Sequence, residues 1–469
     1  YNNTKKRRRK SGAFFFVQKY AALTGLCHHV TPAAYTKFMV LLQKGADMAQ
    51  KRRMTEEAGY GERYSPEVKN VIRLTLAFAE AVGRHQQDKS DNLVIAPYNA
   101  LAAISMAAKG ADGTTREELA QALYGVDAGK LDSVAADYAA LNKDVLKANQ
   151  GQVELTTANG IWVNQEIVKL REDFAADMKD TFDAQISAED FRDSATVAKI
   201  NQWASQNTKG LIPKVLDQLQ EDDAAVLASA LYFKGEWTHK FDKARTEKKD
   251  YVQDGGKAAK TPTMQREFSE SEGMTLNVGD GYEAVALTYG EKNHKEGKRP
   301  TMRIVLVRPA DDKVSARDWL AAQAGTKVPA WLDPEAFHRV EGSVELPRLD
   351  IKQTFDLIPA MQDMGVKEAF NKRGADFTKM AQADGDKLYI GKISHDTVFK
   401  TDEQGSEAAA VTVVGMIRAT SIRMPPPRVD IKFDRSFVFA LQDIESGAVL
   451  FVGAVNKPND DMQPQAAQE

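Results

Sequence analysis

Residues 401–427, TDEQGSEAAAVTVVGMIRATSIRMPPP, constrain the architecture more than any other stretch of the chain. They run from Gly405 through small residues into β-branched ones and end in three prolines. Val411-Thr412-Val413-Val414 is strongly strand-forming and ill suited to a solvated linker. Ala408-Ala409-Ala410 is too weak in strand propensity for an ordinary edge strand. The segment therefore suits two states, an exposed loop and a buried strand. In the strand state, side-chain alternation puts Ser406, Ala408, Ala410, Thr412 and Val414 on one face, and Glu407, Ala409, Val411 and Val413 on the other. The first face is small or apolar and uncharged, as a strand inserted over a packed core requires. Glu407 falls on the opposite face and stays hydrated.

The charge is unevenly spread. Residues 1–53 hold twelve Lys/Arg and one acid, Asp47, a net +11, so the remainder must carry −14 for the chain to total −3. The run Lys5-Lys6-Arg7-Arg8-Arg9-Lys10 followed by Ala13-Phe14-Phe15-Phe16-Val17 suggests a secretion signal, and Cys27 a lipidated end. Gln18 and Lys19 interrupt the apolar stretch, no clean cleavage site follows, and Leu26 stands where lipid attachment wants a small residue. The preferred reading is a mobile basic extension over residues 1–64, disordered or leader, with Met54 an alternative start. The net charge gives no case for a nucleic-acid partner, and no apolar run of 18 residues points to a membrane span. One cysteine excludes an internal disulfide framework.

Beyond the extension, hydrophobic residues recur at helical spacing after Ser65-Pro66, and Leu93–Ile95 reads as a short buried strand. Helices are expected at 99–109, after a capping box at Thr115–Glu118, at 170–182, at 195–207 and at 356–364. Strands are expected at 153–163, 227–233, 284–287, 303–307 and 343–351, with a terminal pair at 437–441 and 449–455. Helices crowd the first half and strands the second, which argues for an α+β fold. GxSxG, HExxH, P-loop and GxGxxG motifs are absent, and the seven histidines show no metal spacing, so neither an enzyme nor a cofactor is expected.

Asn92-Leu-Val-Ile-Ala-Pro97, the alanine-rich helix ending Lys109-Gly-Ala-Asp-Gly-Thr, Ala158–Val163, Ile200–Trp203 with Thr208–Ile212, Leu231-Tyr-Phe-Lys-Gly-Glu-Trp237, Leu346-Pro347-Arg348, Gly365-Val366 with Ala369-Phe370, and Gly453 with Pro458 form an ordered set. Over residues 65–458 this set resembles the serpin family, serine protease inhibitors, and the chain is identified as a member of prokaryotic type. Residues 459–469 are then a C-terminal tail. The resemblance implies helices packed on three antiparallel or mixed sheets, with an exposed reactive loop and a metastable native state. It implies a monomeric suicide substrate that forms a covalent complex with a target serine protease, or a cysteine protease. An extracellular or cell-envelope location goes with it. The alternative is a non-inhibitory binding or chaperone-like protein on the same fold.

Carried onto this chain, the resemblance makes Glu403, Gly405, Ser406, Glu407, Ala408, Ala409, Ala410 and Thr412 the loop hinge, and Trp237 the core at the sheet top. Counting forward from Gly405 by the family's spacing puts the cut at Ala419–Thr420, with Arg418–Ala419 second and Arg423–Met424 third. Counting back from Phe433 and Phe437 lands about six residues later, so the loop is longer than usual after the cut, stiffened by Pro425–Pro427. Asn99, Ser229 and His395 match a polar cluster beneath the opening sheet. Here the family's amide and hydroxyl have changed places and one serine is replaced by Ala96.

Overall fold

The computed structural model describes residues 63–221, 223–269, 272, 274–293, 297–325, 327–383, 388–406, 428–459 and 463–464. The basic extension up to residue 62 and the loop residues 407–427 lie outside them. The helices are α1 (Pro66–His85), α2 (Pro97–Gly110), α3 (Gly113–Tyr124), α4 (Leu131–Asn149), α5 (Glu172–Phe182), α6 (Ser194–Asn207), α7 (Ala316–Ala321) and α8 (Ile358–Asp363). The strands are β1 (Leu93–Ile95), β2 (Glu154–Asn164), β3 (Val168–Leu170), β4 (Gln185–Glu189), β5 (Ala225–Glu236), β6 (Glu247–Val252), β7 (Ala258–Phe268), β8 (Met274–Gly279), β9 (Tyr282–Tyr289), β10 (Met302–Pro309), β11 (His338–Pro347), β12 (Leu349–Asp356), β13 (Ala381–Ala383), β14 (Ser394–Thr401), β15 (Gly405–Ser406), β16 (Arg428–Lys432), β17 (Phe437–Asp443), β18 (Val449–Val455) and β19 (Gln463–Pro464).

An eleven-stranded sheet runs β1-β18-β17-β10-β9-β8-β11-β7-β19, with β16 on β11 and β6 on β7. Near one edge of it lies the terminal pair β17 and β18, every residue of which is buried, as the apolar runs Phe437–Leu441 and Val449–Val455 require. Helix α2 is buried along its length apart from Lys109. Its alanines and the bare Cα of Gly110 allow that depth, since a Cβ at Gly110 would stand 2.7 Å from the Met380 side chain. Helix α1 starts where Ser65 caps the Val68 N–H and Pro66 fills the first turn.

The part that positions the site is a second sheet in two pieces. One piece is β15-β5-β2-β4, the other β12-β14. They meet at a single parallel bridge, Leu227 to Ile393. Helix α6 covers one face of β2 and β5, packing Ile200 and Trp203 on Trp162, Val226, Ala228 and Ala230. The other face, carrying Leu227, Leu231 and Phe233, belongs to the main core. A further pair, β3 with β13, stands apart among the described residues.

Three local expectations change. Helix α3 starts at Gly113 and its cap residue, Asp112, makes no side-chain cap bond. The capping-box residues serve tertiary contacts instead: Thr115 Oγ1 accepts from the Asp376 N–H, and Glu118 Oε2 accepts from the N–H groups of Lys367 and Glu368. The 343–351 strand is two strands, β11 and β12, broken at Arg348 because Pro347 has no N–H to continue the ladder. Residues 168–170 form β3 before α5 begins.

Candidate functional site

At the top of β14 the chain reverses. Asp402 N–H donates to Gly405 O at 2.7 Å, Gly405 N–H returns to Asp402 O at 3.3 Å, and Asp402 Oδ1 accepts from Gln404 N–H at 2.8 Å. Only glycine fits at 405: its φ is +150°, and a Cβ there would lie 2.0 Å from Gly235 O. The reversed chain pairs antiparallel with the end of β5, Gly405 opposite Glu236 and Ser406 opposite Gly235. β5 and the segment entering β14 run parallel, and Gly405–Ser406 run antiparallel to β5. Below Gly235, residues 228–234 on that edge of β5 have no ladder partner among the described residues until the bridge at Leu227.

Glu403 anchors the turn. It is 3% exposed, and its Oε1 accepts from Arg348 Nε at 2.9 Å, Arg348 Nη2 at 2.7 Å and Thr246 Oγ1 at 2.5 Å. Burial pushes its pKa up, but the Thr246 and Arg348 bonds outweigh that and hold it below the usual carboxylate range. The turn's main chain is held by neighbours too. Trp237 N–H donates to Gln404 O at 2.8 Å, Phe241 N–H to Glu403 O at 2.9 Å, and the Trp237 indole N–H to Asp402 O at 2.7 Å.

Under the turn, Trp237 stacks on Tyr289 with centroids 4.4 Å apart, and Phe233 meets Tyr289 edge-on at 5.2 Å. Ser406, 2% exposed, points into this aromatic group, its Oγ 3.3 Å from the Tyr289 hydroxyl. The side chain facing the core at the start of the loop is therefore Ser406. Gly235 leaves room for the aromatic rings beside it, since a Cβ there would stand 2.7 Å from Phe233 and 3.0 Å from Tyr289.

Lower down, Ser229 Oγ donates to the main-chain oxygen of Asn99 at 2.8 Å and lies 3.4 Å from Asn159 Oδ1. The bond from Ser229 goes to the Asn99 main chain, and among the described residues the buried Asn99 Oδ1 has no hydrogen-bond partner. His395 contacts neither residue by hydrogen bond; its Nε2 accepts from the Ala96 N–H at 2.9 Å. That bond supplies a partner at the start of α2, where Ala96 has no side chain to cap with. So Ser229 and Asn99 are joined through the main chain, Asn159 joins them, and His395 braces the same helix start separately.

His395 is fully buried, and desolvation lowers its pKa from 6.5 to about 4. An unfolded histidine takes up a proton near pH 6.5 and the folded one only near 4, so this residue's contribution to stability is present above pH 6.5 and is lost as pH falls towards 4. The full loss is about 3 kcal/mol. We expect the melting midpoint to fall between pH 6.5 and 4.5, and His395→Asn, which keeps an acceptor toward Ala96, to fall less over that window. Equal slopes for the two proteins contradict the assignment.

The structure thus places Glu403, Gly405, Ser406 and Trp237 together at the sheet top, with Asn99, Ser229 and His395 at the lower junction. Glu407, Ala408, Ala409, Ala410, Thr412, Arg418, Ala419 and Thr420 lie outside the described residues. Thr246, Tyr289, Asn159 and the partner role of Arg348 were not foreseen; they come from strands far away in sequence, and no local pattern marks them. Among the described residues no group of three His, Cys, Asp or Glu side chains is placed to hold a metal, and no helix is long and apolar enough to cross a membrane.

A family model described as "Serpin (serine protease inhibitor)" matches residues 69–458. Serpin-Z10 of Arabidopsis thaliana is 30% identical over 399 residues, covering 83% of this chain and 96% of that protein. Leukocyte elastase inhibitor of Equus caballus is 27% identical, covering 80% and 95%. Among solved structures, the thermophilic serpin tengpin in its native state is 26% identical with a TM-score of 0.70, covering 82% and 94%. Thyroxine-binding globulin in complex with thyroxine shares the fold at 21% identity and TM-score 0.68, covering 83% and 99%. The sequence relatives come from plants, insects and mammals and give no support to a prokaryotic type.

Proposed function

The chain belongs to the serpin family, and on that premise we propose that it is an inhibitory member, a suicide substrate that traps a serine-type endopeptidase. The observation that carries the proposal is the register at the top of β5. Gly405 and Ser406 pair antiparallel with Glu236 and Gly235, on an edge whose next residues have no ladder partner among the described residues. Continuing that register sets Ser406, Ala408, Ala410, Thr412 and Val414 against Gly235, Phe233, Leu231, Ser229 and Leu227. Ala408 and Ala410 then meet Phe233 and Leu231 over the main core, and Glu407 falls opposite Lys234 on the other face. A protease that cuts the loop is held as the acyl-enzyme. The freed segment zips down between β5 and β14 and carries the protease with it. Fourteen residues, 406–419, reach about 46 Å at roughly 3.3 Å each, enough to cross the sheet.

We place the cut at Ala419–Thr420. A small residue before the cut suits a protease with a small or apolar pocket, and the likeness to an inhibitor named for leukocyte elastase agrees with it. Arg418–Ala419 is the second choice and suits a trypsin-like enzyme, whose acidic pocket pairs with a guanidinium. Incubation with elastase-, subtilisin- and trypsin-like proteases is expected to yield an SDS-resistant, roughly one-to-one complex. The released C-terminal peptide should begin at Thr420 for the first assignment or Ala419 for the second, and a start at Met424 would refute both. If every protease only degrades the chain, it is a non-inhibitory member of the family.

A further inference from the structure

Arg348 is the single residue between β11 and β12, and both of its main-chain groups are held by other elements. Its N–H donates to Pro262 O at 2.9 Å. Its carbonyl accepts from the side-chain amide of Asn459 at 2.7 Å. The same amide nitrogen donates to Thr261 Oγ1 at 2.9 Å, and beside it Asp350 N–H donates to Pro458 O at 2.9 Å. Asn459 is 8% exposed, so these bonds are made away from competing water. The residues after the last long strand are therefore a buried strut joining β7 to the β11–β12 junction. From that junction the Arg348 side chain spans to Glu403 with two bonds onto one carboxylate oxygen.

We propose that Asn459 is a positioning residue for the hinge. By fixing the main chain of Arg348, it sets how firmly Glu403 is held and so how readily the 402–406 turn lets go. This extends the reading of that turn as the loop's hinge. A guanidinium binds a carboxylate well only when both its nitrogens are aimed at it. A main chain free to shift at 348 spoils that aim without removing any charge.

The test is hydrogen exchange on the full chain, following peptides that cover 236–241 and 401–406. These contain the Trp237, Phe241 and Gly405 N–H groups bonded across the turn. Asn459→Ala and the near-isosteric Asn459→Asp, which keeps the volume but loses the donor, are each expected to speed exchange there about fivefold, the worth of one hydrogen bond. Peptides from α2 and from β17–β18 should be unchanged. Arg348→Ala is expected to speed it at least as much, and Asn459→Ala added to it should have no further effect, because without the guanidinium the main-chain bond from Asn459 no longer leads to Glu403. An Asn459 effect that persists in the Arg348→Ala background, that is equal in α2, or that is absent from 401–406 overturns the proposal. An Asp variant that behaves as wild type, leaving only the Ala variant altered, reduces Asn459 to packing and also overturns it. The exchange readout needs no protease. Failure of inhibition in the wild type therefore leaves this cycle intact, and an additive cycle in a working inhibitor removes only the role of Asn459.

Discussion

Ser406→Arg is expected to turn an inhibitor into a substrate. Ser406 is buried at the top of β5, paired with Gly235 and 3.3 Å from the Tyr289 hydroxyl. Tyr289 is itself buried, its hydroxyl pKa pushed up by desolvation, so it offers no anion for a guanidinium to pair with. An arginine in that place either stays out, holding the loop off the sheet, or enters unpaired at a cost of several kcal/mol. Each 1.4 kcal/mol added to the insertion barrier slows it about tenfold. Deacylation then wins, and the number of inhibitor molecules consumed per protease inactivated should rise from near one to many. Ser406→Ala, which forfeits only the contact with Tyr289, should stay close to one. Unchanged stoichiometry in the arginine variant would remove Ser406 from its place as the first core-facing residue. Melting of the intact variant checks that it is folded.

Much of this site was legible in the chain, because the relevant signals are local. Period-two alternation beginning at Ser406 identifies the uncharged face, and the pairing of Ser406 with Gly235 puts that residue on the core side. Gly405 stands out among its neighbours and proves to need its bare Cα against Gly235 O. The long apolar runs of β17 and β18 announce strands buried on both faces.

What escaped the sequence is tertiary. Thr115 and Glu118 have the spacing of a capping box, yet their side chains find partners at Asp376 and at Lys367 and Glu368, more than 200 residues on. Arg348 lies in a stretch that reads as one strand, and only the fold brings its guanidinium to Glu403 and its carbonyl to Asn459. The cluster of Asn99, Ser229 and His395 rests on the family resemblance. The structure joins Ser229 to a main-chain oxygen and His395 to a main-chain N–H, and sequence carries no sign of which polar atoms a side chain will meet.

Cutting the loop within 415–424 should raise the melting temperature greatly. In the intact protein the edge of β5 from 228 to 234 has no ladder partner among the described residues. After cleavage, nine residues, 406–414, can lie between β5 and β14 and bond to both. At about 1 kcal/mol net per hydrogen bond, that is on the order of 10 kcal/mol. At a few degrees per kcal/mol the shift is roughly 20 °C. The gain depends on Thr412 and Ser229 meeting at mid-sheet and on the small face of 406–414 packing over Leu227, Leu231 and Phe233 without a void. A chain whose loop stays outside after cutting gains none of it. The measurement is differential scanning calorimetry of the intact protein beside the same protein nicked in 415–424 with both pieces still associated. A nicked form melting about 20 °C above the intact one is the result predicted, and a nicked form melting at or below the intact temperature contradicts insertion between β5 and β14.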